Sequence, residues 1–141
     1  MKKGWETKYL RIMDANFNRA KEALRVCEDF ARFLLCDEKL TAKFKRCRHR
    51  LTEILTRFPA SYARLVASRD SVHDVGRDDW IQDGRRKPGW RKVMTANLKR
   101  GQEALRVLEE LAKMIAPRRA RALGRLRFEL YELEKRSFRK F

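Results

Sequence analysis

The chain repeats itself, and what it repeats is polar. Asp14-Ala15-Asn16-Phe17-Asn18-Arg19-Ala20-Lys21-Glu22-Ala23-Leu24-Arg25-Val26-Cys27-Glu28 returns eighty-one residues later as Thr95-Ala96-Asn97-Leu98-Lys99-Arg100-Gly101-Gln102-Glu103-Ala104-Leu105-Arg106-Val107-Leu108-Glu109. Ala, Asn, Arg, Glu, Ala, Leu, Arg, Val and Glu recur in the same order at the same spacing. Apolar positions recur in any two amphipathic helices. An Asn, two Arg and two Glu in register need a further reason. We read a duplicated helix that carries polar chemistry, with the rest of the chain arranged to pair its copies.

At about 100° per residue, Ile12, Ala23, Val26, Cys27, Phe30 and Leu34 share one stripe of the first copy. Asn16 and Arg19 fall on that stripe, Glu22 at its edge, and Arg25 and Glu28 project away. In the second copy Asn97 and Arg100 share a face with Ala104, Val107, Leu108 and Leu111. An Asn and an Arg aimed at a helix–helix core must be paired or must line a cavity, because an unpaired buried charge costs several kcal/mol. Two outcomes follow: a buried polar network that fixes register, or a polar pocket between the copies that holds an anionic ligand.

Length and composition bound the fold. A chain of 141 residues is one domain with room for its own core. With 6 Gly and 3 Pro, and Ala, Leu, Arg, Lys and Glu dominant, the expected class is all-α. No apolar run reaches the roughly 18 residues of a membrane span, and the basic Met1-Lys2-Lys3-Gly4-Trp5 lacks the apolar core of a signal peptide. Cys27, Cys36 and Cys47 are odd in number and lack close pairing, which argues against a disulfide framework or a zinc site. A cytoplasmic protein with reduced thiols is expected. The net charge of +17 attracts polyanions, whether nucleic acid or phosphorylated small molecules. The basic residues are spread over all the helices, which weakens the nucleic-acid reading.

Along the chain, a first helix is expected from about Lys8 to Leu35. A second, capped by Asp37, runs from about Glu38 to Arg57 with Leu40, Phe44, Cys47, Leu51, Ile54 and Leu55 on its apolar face. Pro59 ends it, and Ala60 to Ala67 form a short helix. Periodicity is lost from Ser68 to Arg91, a long loop with Asp70, Asp74, Asp78 and Asp79 and with Arg69, Arg77, Arg85 and Arg86. We read it as an ordered active-site loop. A third helix from Pro88 or Gly89 carries the second copy to about Ala116, and Pro117 opens the last, which runs to about Lys135. Leu123 to Leu133 matches Phe44 to Ile54 at an offset of 79, so the whole hairpin is duplicated. The expected architecture is a pseudo-two-fold four-helix bundle: repeat one at about 8–58, a connection at 59–91, and repeat two at 92–136. Arg48 and Arg127 are its matching basic residues beside the core.

No Walker loop, Rossmann fingerprint, His-Glu-x-x-His or nucleophile elbow is present. The tools available are Arg forks, Asn amides, Glu and clustered Asp. Arg suits bidentate phosphate or carboxylate binding, and clustered Asp suits Mg²⁺ shared with substrate phosphates. This inventory is compatible with a small-molecule kinase, since phosphoryl transfer needs little beyond positioning and charge neutralisation. His49 and His73 read as packing or surface histidines.

Four ordered motifs, Asp14 to Glu28, Ala67-Ser68-Arg69-Asp70, Asp74-Val75-Gly76 and Ala96 to Glu110, resemble one family over about Leu10 to Lys135. It is the helical domain at the N-terminus of some bacterial thiamine phosphate synthases, notably cyanobacterial ones, which also occurs free-standing. Ser71 stands where that family has Thr, and the hydroxyl is retained. With no room for a synthase barrel, the free-standing form is expected. The resemblance implies a monofunctional hydroxymethylpyrimidine phosphate kinase using ATP and Mg²⁺.

Residue roles follow from chemistry. Arg19, Arg48, Arg100 and Arg127 would bind phosphates between the hairpins, and Asn16 and Asn97 would contact the pyrimidine or a phosphate. Glu22 or Glu103 would orient the arginines or pair with the aminopyrimidine. Asp70 and Asp74 would hold Mg²⁺, and Arg69 would bridge to the transferring phosphoryl group, with Arg69, Asp70 and Arg100 carrying the catalysis. Arg25 and Arg106 face outward, toward a second copy in a homodimer. The rival readings are a basic nucleic-acid-binding module, a helical enzyme binding a dicarboxylate, and a non-catalytic partner of a thiamine phosphate synthase.

Overall fold

Local chemistry sets the helix ends. The Asp37 carboxylate accepts the Leu40 amide at 2.9 Å and starts one helix. The Ser61 hydroxyl accepts the Arg64 amide at 3.3 Å and starts another. Pro117 occupies the first turn of the last, separated from its predecessor by Ala116 alone. The computed structural model describes residues 3–77 and 87–141 and holds five helices and no strand among them. They are α1 (Lys3–Phe33), α2 (Glu38–Thr56), α3 (Tyr62–Ala67), α4 (Trp90–Ile115) and α5 (Pro117–Phe138). Asp78, Asp79, Arg85 and Arg86 lie outside the described residues.

α1 and α2 form one hairpin and α4 and α5 its repeat. The bundle closes where α1 packs on α4 and α2 on α5, while α3 lies against α1. The core is duplicated along with the motif. Met13, Phe17 and Leu24 are buried in α1, as are Met94, Leu98 and Leu105 at the matching positions of α4. Phe44, Cys47 and Leu51 of α2 are answered by Leu123, Leu126 and Leu130 of α5.

The two motif helices are antiparallel and close. Ala23 faces Gly101, whereas Cys27, one turn further along α1, reaches back to the Met94 carbonyl at 4.0 Å. A Cβ on Gly101 would stand 2.9 Å from Leu130 Cδ2, which would have to shift, and at an ordinary contact distance of 3.7 Å from the Ala23 Cβ. Ala20 and Ala104, the repeat partners of Gly101 and Ala23, are buried as well.

The buried stripe of α1 is rotated from the expected one. Ile12 and Leu34 are 42% and 52% exposed, and the core side is Met13, Phe17, Ala20, Leu24, Cys27 and Ala31. Large residues at 13, 17 and 24 take the centre, and the small Ala23 takes the helix crossing. Asn16 is buried as expected, at 5% exposure, whereas Arg19 stays exposed at the edge of the crossing. Glu28, expected to project away, is 6% exposed. No helix among the described residues is long and apolar enough to cross a membrane.

Cys36 is exposed at the α1–α2 turn, whereas Cys27 and Cys47 are in the core, where burial pushes both thiols up to about 12. Thiol labelling of the native protein at pH 8 should therefore modify Cys36 quickly and leave two thiols unreacted until denaturant is added. Fast reaction of all three would contradict this packing.

Candidate functional site

Long polar side chains cannot enter a seam of Ala and Gly, so they collect along its rim. There a pocket of about 510 Å³ is lined by Asn16, Arg19, Glu22 and Ala23 of α1 and by Asn97, Arg100, Glu103, Ala104 and Val107 of α4. Eight of these nine are the four matched pairs of the repeat. Because the helices run antiparallel, Asn16 and Asn97 stand toward opposite ends, with the Arg and Glu side chains between them.

The two asparagines are held alike. Asn16 Nδ2 donates to the Ile12 carbonyl and Asn97 Nδ2 to the Val93 carbonyl, both at 2.9 Å. Each amide uses one hydrogen to fix its orientation and keeps a second hydrogen and its oxygen for a ligand. The charged residues behave otherwise. Among the described residues Arg19, Glu22, Arg100 and Glu103 make no hydrogen bond or ion pair through their side chains. Arg19–Glu22 and Arg100–Glu103 have the spacing at which Arg25 meets Glu28, and Arg106 meets Glu109, at 3.6 Å. The pocket thus holds two cations and two carboxylates that do not satisfy one another.

Arg48 and Arg127, expected as phosphate ligands, are not brought to this pocket. Arg48 Nε donates to Glu28 at 2.8 Å and Arg127 Nε to Glu109 at 2.9 Å, matching ties within each hairpin. The Glu109 carboxylate and the Tyr131 hydroxyl stabilise the Arg127 cation and raise its pKa. These carboxylates are the repeated Glu of the motif, which explains without any ligand why that Glu and its Arg recur.

Arg69 is also engaged. Its Nε and Nη2 donate to the two oxygens of the buried Asp14 at 2.6 and 2.9 Å, a bidentate fork that clamps the segment after α3 onto α1. Asp14 holds the guanidinium still further toward its charged form. In the second repeat Thr95 replaces Asp14, so this clamp breaks the two-fold.

Asp70 accepts from the His73 amide at 3.2 Å and pairs with His73 Nδ1 at 2.9 Å, which lowers its pKa. Asp74 accepts from the Gly76 amide at 3.0 Å. Both line a cavity of about 280 Å³ with Arg11, Asp14 and Arg69. No group of three or more His, Cys, Asp or Glu able to hold a metal occurs among the described residues. The donor set fits Mg²⁺ arriving on substrate phosphates, which takes one or two carboxylates, and does not fit an all-protein metal cage. His49 and His73 are exposed. Sequence reasoning missed Lys8 and Arg11, which line a third cavity of about 370 Å³ with Asn16, Arg19 and Asp74. Their signal was present: positions 8, 11, 12, 15 and 19 continue one helical face.

Fold and site together define an internally duplicated four-helix bundle with a polar pocket across its pseudo-two-fold. The ThiD2 family model matches residues 11–136, and the chain belongs to that family. It is 37% identical over 124 residues to the thiamine-phosphate synthase of Nostoc punctiforme, covering 88% of this chain and 34% of that protein. Against the Synechocystis thiamine-phosphate synthase it is 37% identical over 134 residues, 95% of this chain and 37% of that protein. Against the Gloeobacter violaceus enzyme it is 39% identical over 125 residues, 89% of this chain and 35% of that protein. The chain thus spans about a third of the length of these relatives. No solved structure matches it.

Two kinds of arginine should separate by stability. Arg48→Ala or Arg127→Ala leaves a largely buried carboxylate only its longer contact with Arg25 or Arg106 and should lower the unfolding free energy by about 1–3 kcal/mol in urea at pH 7. Arg19→Ala and Arg100→Ala should stay within about 0.5 kcal/mol of the parent. Equal losses at all four would make the pocket arginines structural.

Proposed function

We propose that this protein is a hydroxymethylpyrimidine phosphate kinase of thiamine biosynthesis. It transfers the γ-phosphoryl group of Mg·ATP to 4-amino-5-hydroxymethyl-2-methylpyrimidine phosphate, giving the diphosphate. The observation that carries this reading is the pocket between the repeats, where two Arg and two Glu lie unpaired beside two oriented Asn amides. Its volume falls in the range of roughly 300–1,000 Å³ usual for small-molecule sites. Membership of the ThiD2 family and the relation to thiamine-phosphate synthases support the pathway.

The side chains match the substrate's polarity. Arg19 and Arg100 take the phosphate through charge-assisted hydrogen bonds. Glu22 or Glu103 accepts from the exocyclic amine, and an Asn amide donates to a ring nitrogen. The acceptor is a phosphate oxygen that is already anionic, so no base is needed to deprotonate it. That oxygen forms a bond to the γ-phosphorus, the bond from the γ-phosphorus to the β–γ bridging oxygen breaks, and ADP leaves with the electron pair. Arg100 neutralises charge on the moving group. Asp70 and Asp74 would hold Mg²⁺, which supplies charge neutralisation on the nucleotide phosphates. Arg69, forked on Asp14, positions their segment and does not reach out to the phosphoryl group, which revises the role expected for it.

The relation to about a third of several thiamine-phosphate synthases also favours a second reading, a non-catalytic partner that docks on such an enzyme. The two separate by turnover. The kinase reading requires ADP release with Mg·ATP and hydroxymethylpyrimidine phosphate, and none with the unphosphorylated alcohol. Arg100→Ala should then lose at least about a hundredfold in kcat/KM with unchanged helix content. Absence of both turnover and substrate binding, with co-purification of a thiamine-phosphate synthase, would replace the kinase with the partner.

A further inference from the structure

The pocket is two-fold, but its surroundings are not. At the Asn16 end it continues, through the shared Asn16 and Arg19, into the cavity of about 370 Å³ that also holds Lys8, Arg11 and Asp74. That cavity in turn shares Arg11, Ala15 and Asp74 with the one carrying Asp70. From Lys8 to Arg19 the lane follows about 16 Å of helix at 1.5 Å per residue. The matching face of the second repeat has Gly89 for Lys8, Lys92 for Arg11 and Thr95 for Asp14. α3 and its following segment pack on α1, held by the Arg69 fork to Asp14 and by Arg11 Nη2 donating to the Asp70 carbonyl at 3.2 Å.

We propose that the repeats divide the work: the lane over Arg11, Arg19 and Asp74 on the first repeat binds the nucleoside triphosphate, and the second repeat has no such site. This rests on the kinase reading above and says where its donor lies. Charge separates the two regions. The central pocket balances two Arg against two Glu, which suits a phosphate joined to a neutral ring whose amine donates to a carboxylate. The lane sets Arg11 and Arg19 against Asp74, an excess of positive charge that suits a triphosphate. Ile12, exposed beside it, offers an apolar surface for a base. Arg19 and Asn16 belong to both regions, so a γ-phosphoryl group at the end of the lane meets the acceptor there.

The test compares Arg11→Gln with Lys92→Ala, its mirror on the second repeat. Gln removes the charge and, two bonds shorter than the guanidinium, also gives up the bond to the Asp70 carbonyl. Arg11→Gln should raise the ATP KM about tenfold and weaken Mg·ATP binding in calorimetry by a similar factor. The KM for the pyrimidine phosphate should change less than about twofold. Lys92→Ala should change neither. If the parent turns over and both variants weaken ATP equally, or neither does, the asymmetric lane is wrong while the kinase stands. If the parent neither binds Mg·ATP nor turns over, both fall together.

Discussion

The close approach of α1 and α4 at Ala23 and Gly101 is the contact on which the rest depends. Backbones this near leave no width between them for Asn, Arg or Glu. The repeated polar residues therefore rim the crossing, and the antiparallel two-fold brings both sets to one place. A Cβ at position 101 would press on the Leu130 side chain of α5 and meet the Ala23 Cβ of α1 at ordinary contact distance. Packing and site are one constraint here, because the small residues that let the helices touch also force the pocket open beside them.

Around that seam the protein sorts its charge into two kinds. Glu28 with Arg48, and Glu109 with Arg127, lie across each hairpin with most of their surface covered. Groups so placed are costly to separate and contribute register. Arg19, Glu22, Arg100 and Glu103 lie at the rim and remain unengaged. Their low engagement makes them cheap to leave in water and available to a ligand. The Asp14–Arg69 fork is a third arrangement, present in one repeat alone, and it gives a symmetric bundle a single loaded side.

Much of this was legible in the residues. The recurrence of Asn16, Arg19 and Glu22 as Asn97, Arg100 and Glu103 pointed to polar residues that the two copies bring together, and these six line one pocket. Helix ends followed from Asp37, Pro117 and the loss of periodicity after Ala67. Arg48 and Arg127 were misassigned because a recurring Arg looks the same whether it serves a ligand or a carboxylate. The deciding fact, that Glu28 turns inward to meet Arg48, depends on the rotation of α1, which Ile12 and Val26 obscured and Met13, Phe17 and Leu24 set. Arg69 failed for a related reason: its partner Asp14 is 55 residues away, beyond any local pattern. Lys8 and Arg11 were overlooked because they precede the Asp14–Glu28 motif, and only Arg11 has a basic counterpart, Lys92, in the second copy.

The central claim is that one ligand sits across both copies of the motif, and the side-chain amides of Asn16 and Asn97 report on it most directly. In a nitrogen–proton correlation spectrum titrated with hydroxymethylpyrimidine phosphate, both amides should shift along one binding curve. Gln102, buried and bonded to Glu134 at 2.7 Å, should stay in place. Shifts elsewhere with both asparagines unmoved would show that the pocket between the repeats is not the substrate site.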